Sequence, residues 1–260
     1  MFYHDLNLVL ISFYTLARKE CYRVIRIWPQ TILPTITISF LYFFIFGHIM
    51  SKKIGTIFGY NYIQYITPGL IMMLVITNSY SNIVSSFFSY KFQKNIEEIL
   101  ISPISNNTII LGFVFGSFFR SVIVFFIVFF ISNFFCDIYI YNFIIIFLIL
   151  ILIIFLFSLL GMINGIFAKK FDDVSIFSTF ILSPLIYLGG LFYSLDFLPY
   201  NLKFLLYINP IFYIVNIFRY GFLGISEVNI NLSIIFVCLF IFLLYFYLLF
   251  LLKFGYELKK

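Results

Sequence analysis

Charge is the scarcest property of this chain. Only 10% of its 260 residues are Asp, Glu, Lys or Arg, whereas 63% are hydrophobic and the mean hydropathy is +1.12. A soluble surface needs far more charge than this to remain in water. The composition therefore excludes a soluble protein and indicates an all-α integral membrane protein, with room for roughly six helical spans and no sizeable soluble domain. We expect one membrane domain over residues 1–260.

Several kinds of site lack the residues that they would need. Cys21, Cys136 and Cys238 fall in different predicted surroundings, so we expect neither a disulfide nor a cysteine metal site. His4 and His48 are expected on opposite sides of the membrane and cannot share a site. No GxxxxGK[ST] phosphate loop occurs, so any work driven by a nucleotide must come from another chain. We expect no catalytic residue, no metal and no cofactor bound by this chain.

The N-terminus has no basic region ahead of its first apolar residues, so it does not read as a cleavable signal. Residues 6–27 mix apolar side chains with a basic cluster, and Trp28-Pro29 follows at the depth that tryptophan prefers in membranes. We therefore predict an N-terminal interfacial helix.

Apolar segments then predict six transmembrane helices, at residues 31–46, 67–88, 108–132, 143–167, 174–195 and 232–252. The fifth is interrupted by Pro184 and by Gly189-Gly190. The stretch 196–231 is too long for a simple hairpin, yet it is still apolar. Because backbone groups at bilayer depth must pair internally, we expect short re-entrant helices there, before the last span.

Basic residues accumulate on one side of this predicted topology. That side holds Arg18, Lys19, Arg23, Arg26, Lys91, Lys94, Lys169, Lys170, Lys253, Lys259 and Lys260, and the other holds Lys52, Lys53, Lys203 and Arg219. Lys and Arg are enriched in cytoplasmic loops, so both termini are predicted to be cytoplasmic. The net charge of +6 is then a topology signal and does not indicate nucleic acid.

A charged segment at residues 91–103, KFQKNIEEILISP, separates predicted spans two and three on the cytoplasmic side. Its helical spacing predicts an amphipathic helix. The apolar face is formed by Phe92, Ile96, Ile99 and Leu100, and the charged residues are Lys91, Lys94, Glu97 and Glu98. Such a helix lies on lipid headgroups or docks on a protein. Its two acids fit a negatively charged cytoplasmic leaflet poorly, which favours a protein partner.

Predicted span two carries a polar stripe at helical spacing, formed by Asn78, Ser81, Asn82, Ser85 and Ser86. Helix packing through small polar residues and the lining of a transport path are both consistent with it, and both place this face inward. Arg120 lies within predicted span three, where a charge needs a partner, a water-filled cavity or a route to the interface. The candidate translocation path is Asn78, Ser81, Asn82, Ser85 and Arg120.

Two functions other than transport remain open. Asp172 and Asp173 could hold Mg²⁺ in a membrane enzyme of lipid or prenyl transfer, but the next acid in the chain is Asp196, on the opposite side. A solvated turn that caps the following helix is the favoured interpretation of this acidic pair. A non-transporting membrane assembly partner is the other alternative. An ion-coupled carrier is disfavoured because no predicted span holds an acid.

Residues 94–103, KNIEEILISP, resemble the pattern K-x-I-E-E-L-L-x-[ST]-P of permease subunits in type-2 ABC exporters. Other motifs similar to those of the family occur in the same order along the whole chain. They are Pro68-Gly69-Leu70, Phe171-Asp172-Asp173, Leu198-Pro199, Asn209-Pro210 and Arg219-Tyr220-Gly221. Bacterial inner-membrane members are the most similar.

This resemblance implies a six-span permease whose segment between spans two and three is a coupling helix. Two copies would pair around a central path, each docked on a separate ATPase that uses ATP to drive export across the inner membrane. By position, Lys94, Glu97 and Glu98 would face the ATPase, and Pro199, Asn209, Pro210 and Arg219 would gate the outer end.

Overall fold

The computed structural model describes residues 2–195 and 199–255, which are mostly helical. The elements are α1 (Phe2–Arg26), α2 (Trp28–Tyr42) with a π-helical continuation (Phe43–Met50), α3 (Ser51–Ile54), β1 (Thr56–Ile57), β2 (Tyr60–Asn61), α4 (Tyr62–Phe92), α5 (Asn95–Ile101), α6 (Asn106–Asn133), α7 (Phe143–Phe167), α8 (Phe171–Phe177) with a π-helical continuation (Ser178–Leu182), α9 (Ser183–Tyr187), α10 (Tyr200–Ile208), α11 (Pro210–Leu223) and α12 (Ile230–Phe254). β1 and β2 form an antiparallel hairpin that the sequence patterns did not predict, because two-residue strands are too short to show alternation.

The described residues contain five helices that are long and apolar enough to cross a membrane. They are Trp28–Met50, Tyr62–Phe92, Asn106–Asn133, Phe143–Phe167 and Ile230–Phe254. Each includes one of the predicted spans, numbers one, two, three, four and six. α4 has 31 residues and therefore spans about 46 Å, more than the roughly 30 Å of a hydrocarbon core, so part of it must project beyond that core.

The predicted fifth span lies in a different place along the chain. Helix begins at Phe171 and continues through the π-helical turn to Tyr187, a run of 17 residues and about 25 Å, instead of covering 174–195. Pro184 lies inside this run, directly after the π-helical turn, and its missing N–H interrupts the regular helical hydrogen bonds there. Gly190 adopts φ +74°, a conformation that helix cannot continue through. A span count of six stays a prediction.

α4 is the central helix, and it packs against α6, α7 and α11. Its approach to α7 is close because α7 presents glycine there. A Cβ atom on Gly161 would lie 2.8 Å from the carbonyl oxygen of Tyr80, and one on Gly165 would lie 3.1 Å from the Phe87 ring. Small residues on one helix let the backbone of its neighbour approach, which is how membrane helices gain packing contacts.

α1 is helical as predicted, but it is also held by protein. It packs along α6 at two glycines, with Leu16 beside Gly112 and Glu20 beside Gly116. Its other side leaves Leu10 exposed, together with several further apolar side chains. The interfacial location of α1 stays a prediction.

The segment 91–103 is not a single helix, which corrects the sequence-based expectation. α4 continues through Phe92, the chain turns at Gln93 and Lys94, and α5 begins at Asn95. Lys94 has φ +61°, so the helical register is broken there. Phe92 consequently does not share a face with Ile96, but stays exposed at the end of α4.

Two short helices, α10 and α11, precede the last predicted span. Short helices were predicted in 196–231, and both lie there, whereas Asp196 and Leu198 lie outside the described residues. α11 is mostly buried between α4, α7 and α12. Whether these helices are re-entrant stays a prediction.

Candidate coupling segment and polar networks

The coupling segment, defined as Lys94 and α5, has one apolar and one charged side. Ile96 is 1% exposed and packs in a cluster with Tyr90, at the end of α4, and residues of α6. Lys94 and Glu98 are exposed, and Glu97 is half-buried. The segment is thus attached to the bundle by its apolar side, and it presents charge on its outer side.

Lys91 and Phe92 hold the end of α4 in place just ahead of the coupling segment. The Lys91 ammonium donates to the carbonyl oxygens of Ile166 and Ala168, at the end of α7. A cation at a helix C-terminus satisfies carbonyls that have no partner within the helix. The Phe92 and Phe171 rings lie 5.1 Å apart. Movement of the coupling segment would therefore act on the ends of both α4 and α7.

The polar stripe of α4 is divided between two faces. Asn78, Asn82 and Ser86 are buried, as predicted, whereas Ser81 and Ser85 are exposed. The Ser81 and Ser85 hydroxyls donate to the carbonyl oxygens of Asn78 and Asn82, at 3.3 and 3.0 Å. Positions 81 and 85 lie on a neighbouring side of the helix that other helices of this chain do not cover, so the inward orientation of that part of the stripe stays a prediction.

Arg120 is 7% exposed and is bound by a neutral partner. Its Nη2 donates to Asn78 Oδ1 at 2.7 Å. Asn78 Nδ2 in turn donates to the carbonyl oxygen of Leu74 at 2.9 Å and to the Thr35 hydroxyl at 3.3 Å. Within the described residues, Arg120 Nε has no hydrogen-bond partner. Of the three alternatives left open by the sequence, the structure shows a partner, which is an amide. The hydrogen bonds of the guanidinium are only partly satisfied.

A polar network, named the inner network after its predicted side of the membrane, joins α1 to α4. Glu20 is 2% exposed; its carboxylate accepts from the Ser86 hydroxyl at 2.8 Å and from Arg23 Nε at 3.1 Å. Arg23 Nη2 donates to Asn82 Oδ1 at 2.9 Å and to the Asn82 carbonyl at 3.1 Å. Asn82 Nδ2 donates to the Ser117 hydroxyl at 3.4 Å, which adds α6. Sequence reasoning missed Glu20, although an acid three residues before an arginine on a helix signals a pair.

A second polar cluster, named the outer cluster after its predicted side of the membrane, surrounds Arg219, which is 1% exposed. Its Nη1 lies 3.3 Å from Glu227 Oε1, its Nη2 donates to the Gly190 carbonyl at 2.8 Å, and its guanidinium lies 3.9 Å from the centre of the Tyr65 ring. The Tyr65 hydroxyl and the Leu195 backbone N–H both donate to Glu227, at 2.6 and 2.7 Å. Sequence reasoning missed Glu227.

The other predicted outer-gate residues lie at helix ends. Asn209 is buried, accepts from the Ile211 N–H at 3.0 Å, and donates to the Leu185 carbonyl at 2.6 Å, so it caps α11 and ties it to α9. Pro210 is the first residue of α11, where its fixed φ suits a helix start. Pro199 is exposed just before α10. A gating role for these residues stays a prediction.

The acidic pair at the start of α8 caps a helix, as the favoured interpretation predicted. Asp173 Oδ2 accepts from the backbone N–H groups of Lys169 and Lys170, at 2.9 and 3.0 Å. These hydrogen bonds to the charged form lower the pKa of the Asp173 carboxyl below its usual range. Over residues 2–195 and 199–255, no three His, Cys, Asp or Glu side chains come together as a metal site would require.

Comparison with known proteins places these features in a family. Residues 11–223 match the model of the family described as "ABC-2 type transporter". The chain is 46% identical over 244 residues to "Inner membrane transport permease YadH" of Escherichia coli K12, covering 94% of each chain. It is 20% identical over 212 residues to "Nodulation protein J" of Rhizobium leguminosarum bv. viciae, covering 81% of this chain and 82% of that protein.

Proposed function

Because this chain belongs to the ABC-2 type transporter family, we propose that it is the permease subunit of an ATP-driven exporter in the bacterial inner membrane. Two copies form the membrane unit, and each docks on a separate ATPase subunit. ATP is used by that subunit, and substrate leaves the cytoplasm between the two permeases. Both termini of the permease are cytoplasmic, which follows from the distribution of Lys and Arg.

The coupling segment is the observation that carries this proposal. α5 buries Ile96 in the bundle and leaves Glu98 exposed beside Lys94, so it offers a small charged surface on a firmly attached base. Lys91 connects the same region to the end of α7. When the ATPases close on ATP, a push on α5 is transmitted to the long helices α4 and α7, which is a rigid-body transition.

The exposed face of α4 supports a path between two copies. Between Tyr65 and Tyr90, α4 is otherwise buried, but Thr77, Ser81, Ser85 and Ser89 follow one another at four-residue spacing along its accessible side. The accessible faces of α7 and α12 carry large apolar side chains, as expected against lipid. A side lined by small hydroxyl residues suits the surface of a transport path or of the second copy.

The coupling role is tested by charge reversal in the double variant E97K/E98K, co-expressed with the ATPase partner in membranes. We expect normal accumulation of the permease, and a loss of the link between ATP hydrolysis and transport, because like charges now face the docking site. D137K is the matched control, since Asp137 is also an exposed acid but lies on the predicted outer side.

Co-purification and crosslinking test the partner itself. The native cysteines are first replaced, and Glu98→Cys then provides a single site for crosslinking. Crosslinks from this site should reach a chain that carries a phosphate-binding loop. A folded permease that crosslinks to no such chain, or an E97K/E98K variant with unchanged coupling, would refute the proposal.

A further inference from the structure

A basic cavity of about 1030 Å³ lies between α1 and the end of α4. Four cations line it, Arg18, Lys19, Arg23 and Arg26, and no acid belongs to its described lining. Glu20 neutralises Arg23 from behind. The remaining three side chains give the cavity a net positive charge. Because the surface is concave there, their positive potential is stronger than that of the same cations on a flat surface.

The cations of the cavity are partly preorganised by aromatic rings. The Lys19 ammonium lies 4.5 Å from the centre of the Tyr90 ring, and the Arg18 guanidinium lies 5.5 Å from that of Tyr22. Such cation–π contacts restrict the long side chains without supplying negative charge. When an anion binds, these side chains would therefore lose less conformational entropy than freely rotating side chains would.

Exposed apolar residues lie close in sequence to the basic residues of the cavity. Ile27 lines the cavity, Trp28 follows it with its ring half exposed, and Ile25 and Ile11 are exposed on α1. Tryptophan and exposed aliphatic side chains next to basic residues are typical of a membrane interface. The basic residues of the cavity are thus accompanied along the chain by residues suited to a membrane interface.

We propose that this cavity binds the phosphate group of an anionic ligand, supplied by a phospholipid headgroup or by free phosphate. Arg18, Lys19 and Arg26 supply the charge, and the arginines offer paired N–H donors that match phosphate oxygens. Ser89, Gln93 and Asn95 extend the lining to the first residue of α5. The ligand would therefore lie against the coupling segment, on the side of the membrane where basic residues accumulate.

The single tryptophan of the chain provides the measurement. The purified permease is reconstituted in phosphatidylcholine nanodiscs that contain a small, increasing fraction of brominated phosphatidylglycerol or brominated phosphatidylcholine, and quenching of Trp28 emission is recorded. We expect half-maximal quenching at a several-fold lower fraction of the anionic lipid. No ATPase is present, so the result is independent of the proposed transport function.

Two double variants separate the cavity from general surface charge. R18Q/R26Q should raise the fraction of anionic lipid that is needed on the order of tenfold, since each basic residue near an anionic surface contributes a severalfold preference. K169Q/K170Q removes two exposed cations on the same predicted side, outside the cavity, and should change little. All four positions are exposed, so these substitutions are compatible with folding.

A titration with inorganic phosphate, in nanodiscs without anionic lipid, distinguishes the two sources. If phosphate relieves quenching by the brominated phosphatidylglycerol, or changes Trp28 emission in the wild type and not in R18Q/R26Q, the cavity takes free phosphate. If only the lipid has an effect, the occupant is a headgroup. Equal effects of the two double variants, or a wild-type protein that prefers neither the anionic lipid nor phosphate, would overturn the proposal.

Discussion

Among the residues that the structure describes, two arginines are paired with a carboxylate, one near each end of α4. At the outer end, Arg219 and Glu227 are enclosed by protein, and Tyr65 packs over the guanidinium. At the inner end, Glu20 is buried, but Arg23 is 20% exposed and reaches the basic cavity. The two pairs are chemically alike, and they differ in their access to water.

That difference decides what each pair contributes. A charge left alone in a solvent-excluded site cannot be rescued by hydration, so its partner is indispensable once both are buried. A charge that reaches a water-filled cavity is partly solvated without its partner. The outer cluster therefore holds α4, α11 and the segment after α9 in one fixed arrangement. The side chains of the inner network can exchange hydrogen-bond partners at a lower cost in free energy.

The largest effect is expected from Glu227→Ala. It leaves the Arg219 guanidinium buried without a counter-charge and removes the acceptor for the Tyr65 hydroxyl. We expect a loss of about 3–5 kcal/mol in the free energy of unfolding, the usual range when one partner of a buried pair is removed. Thermal unfolding of the purified protein in detergent measures it.

The double variant R219M/E227L is the control for that prediction. Apolar side chains of similar size often replace a buried pair at little cost, so part of the lost stability should return. The remainder stays lost because the Tyr65 hydroxyl and the Leu195 N–H still lack their acceptor. A Glu227→Ala protein that unfolds within about 1 kcal/mol of the wild type would show that the outer pair is solvated and that the comparison does not hold.

Glu20→Ala should have a smaller effect, about 1–3 kcal/mol. The Ser86 hydroxyl loses its acceptor and Arg23 loses its carboxylate, but Arg23 keeps Asn82 and faces the cavity. The same unfolding assay applies, with Glu98→Ala as a control that removes an exposed acid. A destabilisation as large as that of Glu227→Ala would contradict the distinction between the two ends.

The sequence predicted the helices better than it predicted these pairs. The predicted span at 143–167 coincides with α7 because an uninterrupted apolar run defines both of its ends. The cap at Asp173 was also predictable, since its carboxylate and the two backbone N–H groups that donate to it lie within four residues of each other. Glu20 and Ser86 are 66 residues apart, and no local pattern indicates that they meet.

The coupling segment illustrates the same limit at short range. Its amphipathic period correctly placed Ile96 on the buried side. The period could not show that α4 would continue through Phe92, or that Lys94 would take a positive φ, because the contacts of Lys91 with the end of α7 are tertiary. Local periodicity thus identifies which side of a helix is buried, while distant contacts decide where the helix ends.

Gly116→Ala sharpens the comparison from the packing side. A Cβ atom there would lie 2.5 Å from Glu20 Cβ, so α1 must shift away from α6. Overpacking of this kind costs on the order of 1 kcal/mol, less than the loss of the carboxylate. Unfolding is again the measurement, and Ser85→Ala, on the exposed face of α4, is the control. Unchanged stability with Glu20 still bound to Ser86 would mean that α1 adjusts freely.

Arg120→Met should have the smallest effect, because this second buried arginine has no carboxylate to leave behind. Asn78 keeps its bond to the Leu74 carbonyl and its contact with Thr35, and a partly satisfied guanidinium is replaced by an apolar side chain of similar length. We expect a change below about 1 kcal/mol in unfolding. Arg219→Met alone is the matched comparison, since it strands Glu227 and should destabilise strongly.

The same variant also distinguishes packing from transport. If Arg120 serves the translocation path, Arg120→Met should lower transport while ATP hydrolysis and stability are kept, because the charge is removed and the helix contacts are not. If it serves only to bind Asn78, transport and stability should both stay near wild type. A loss of several kcal/mol would instead place Arg120 with Arg219, as a charge that the fold depends on, and its neutral partner would no longer explain its behaviour.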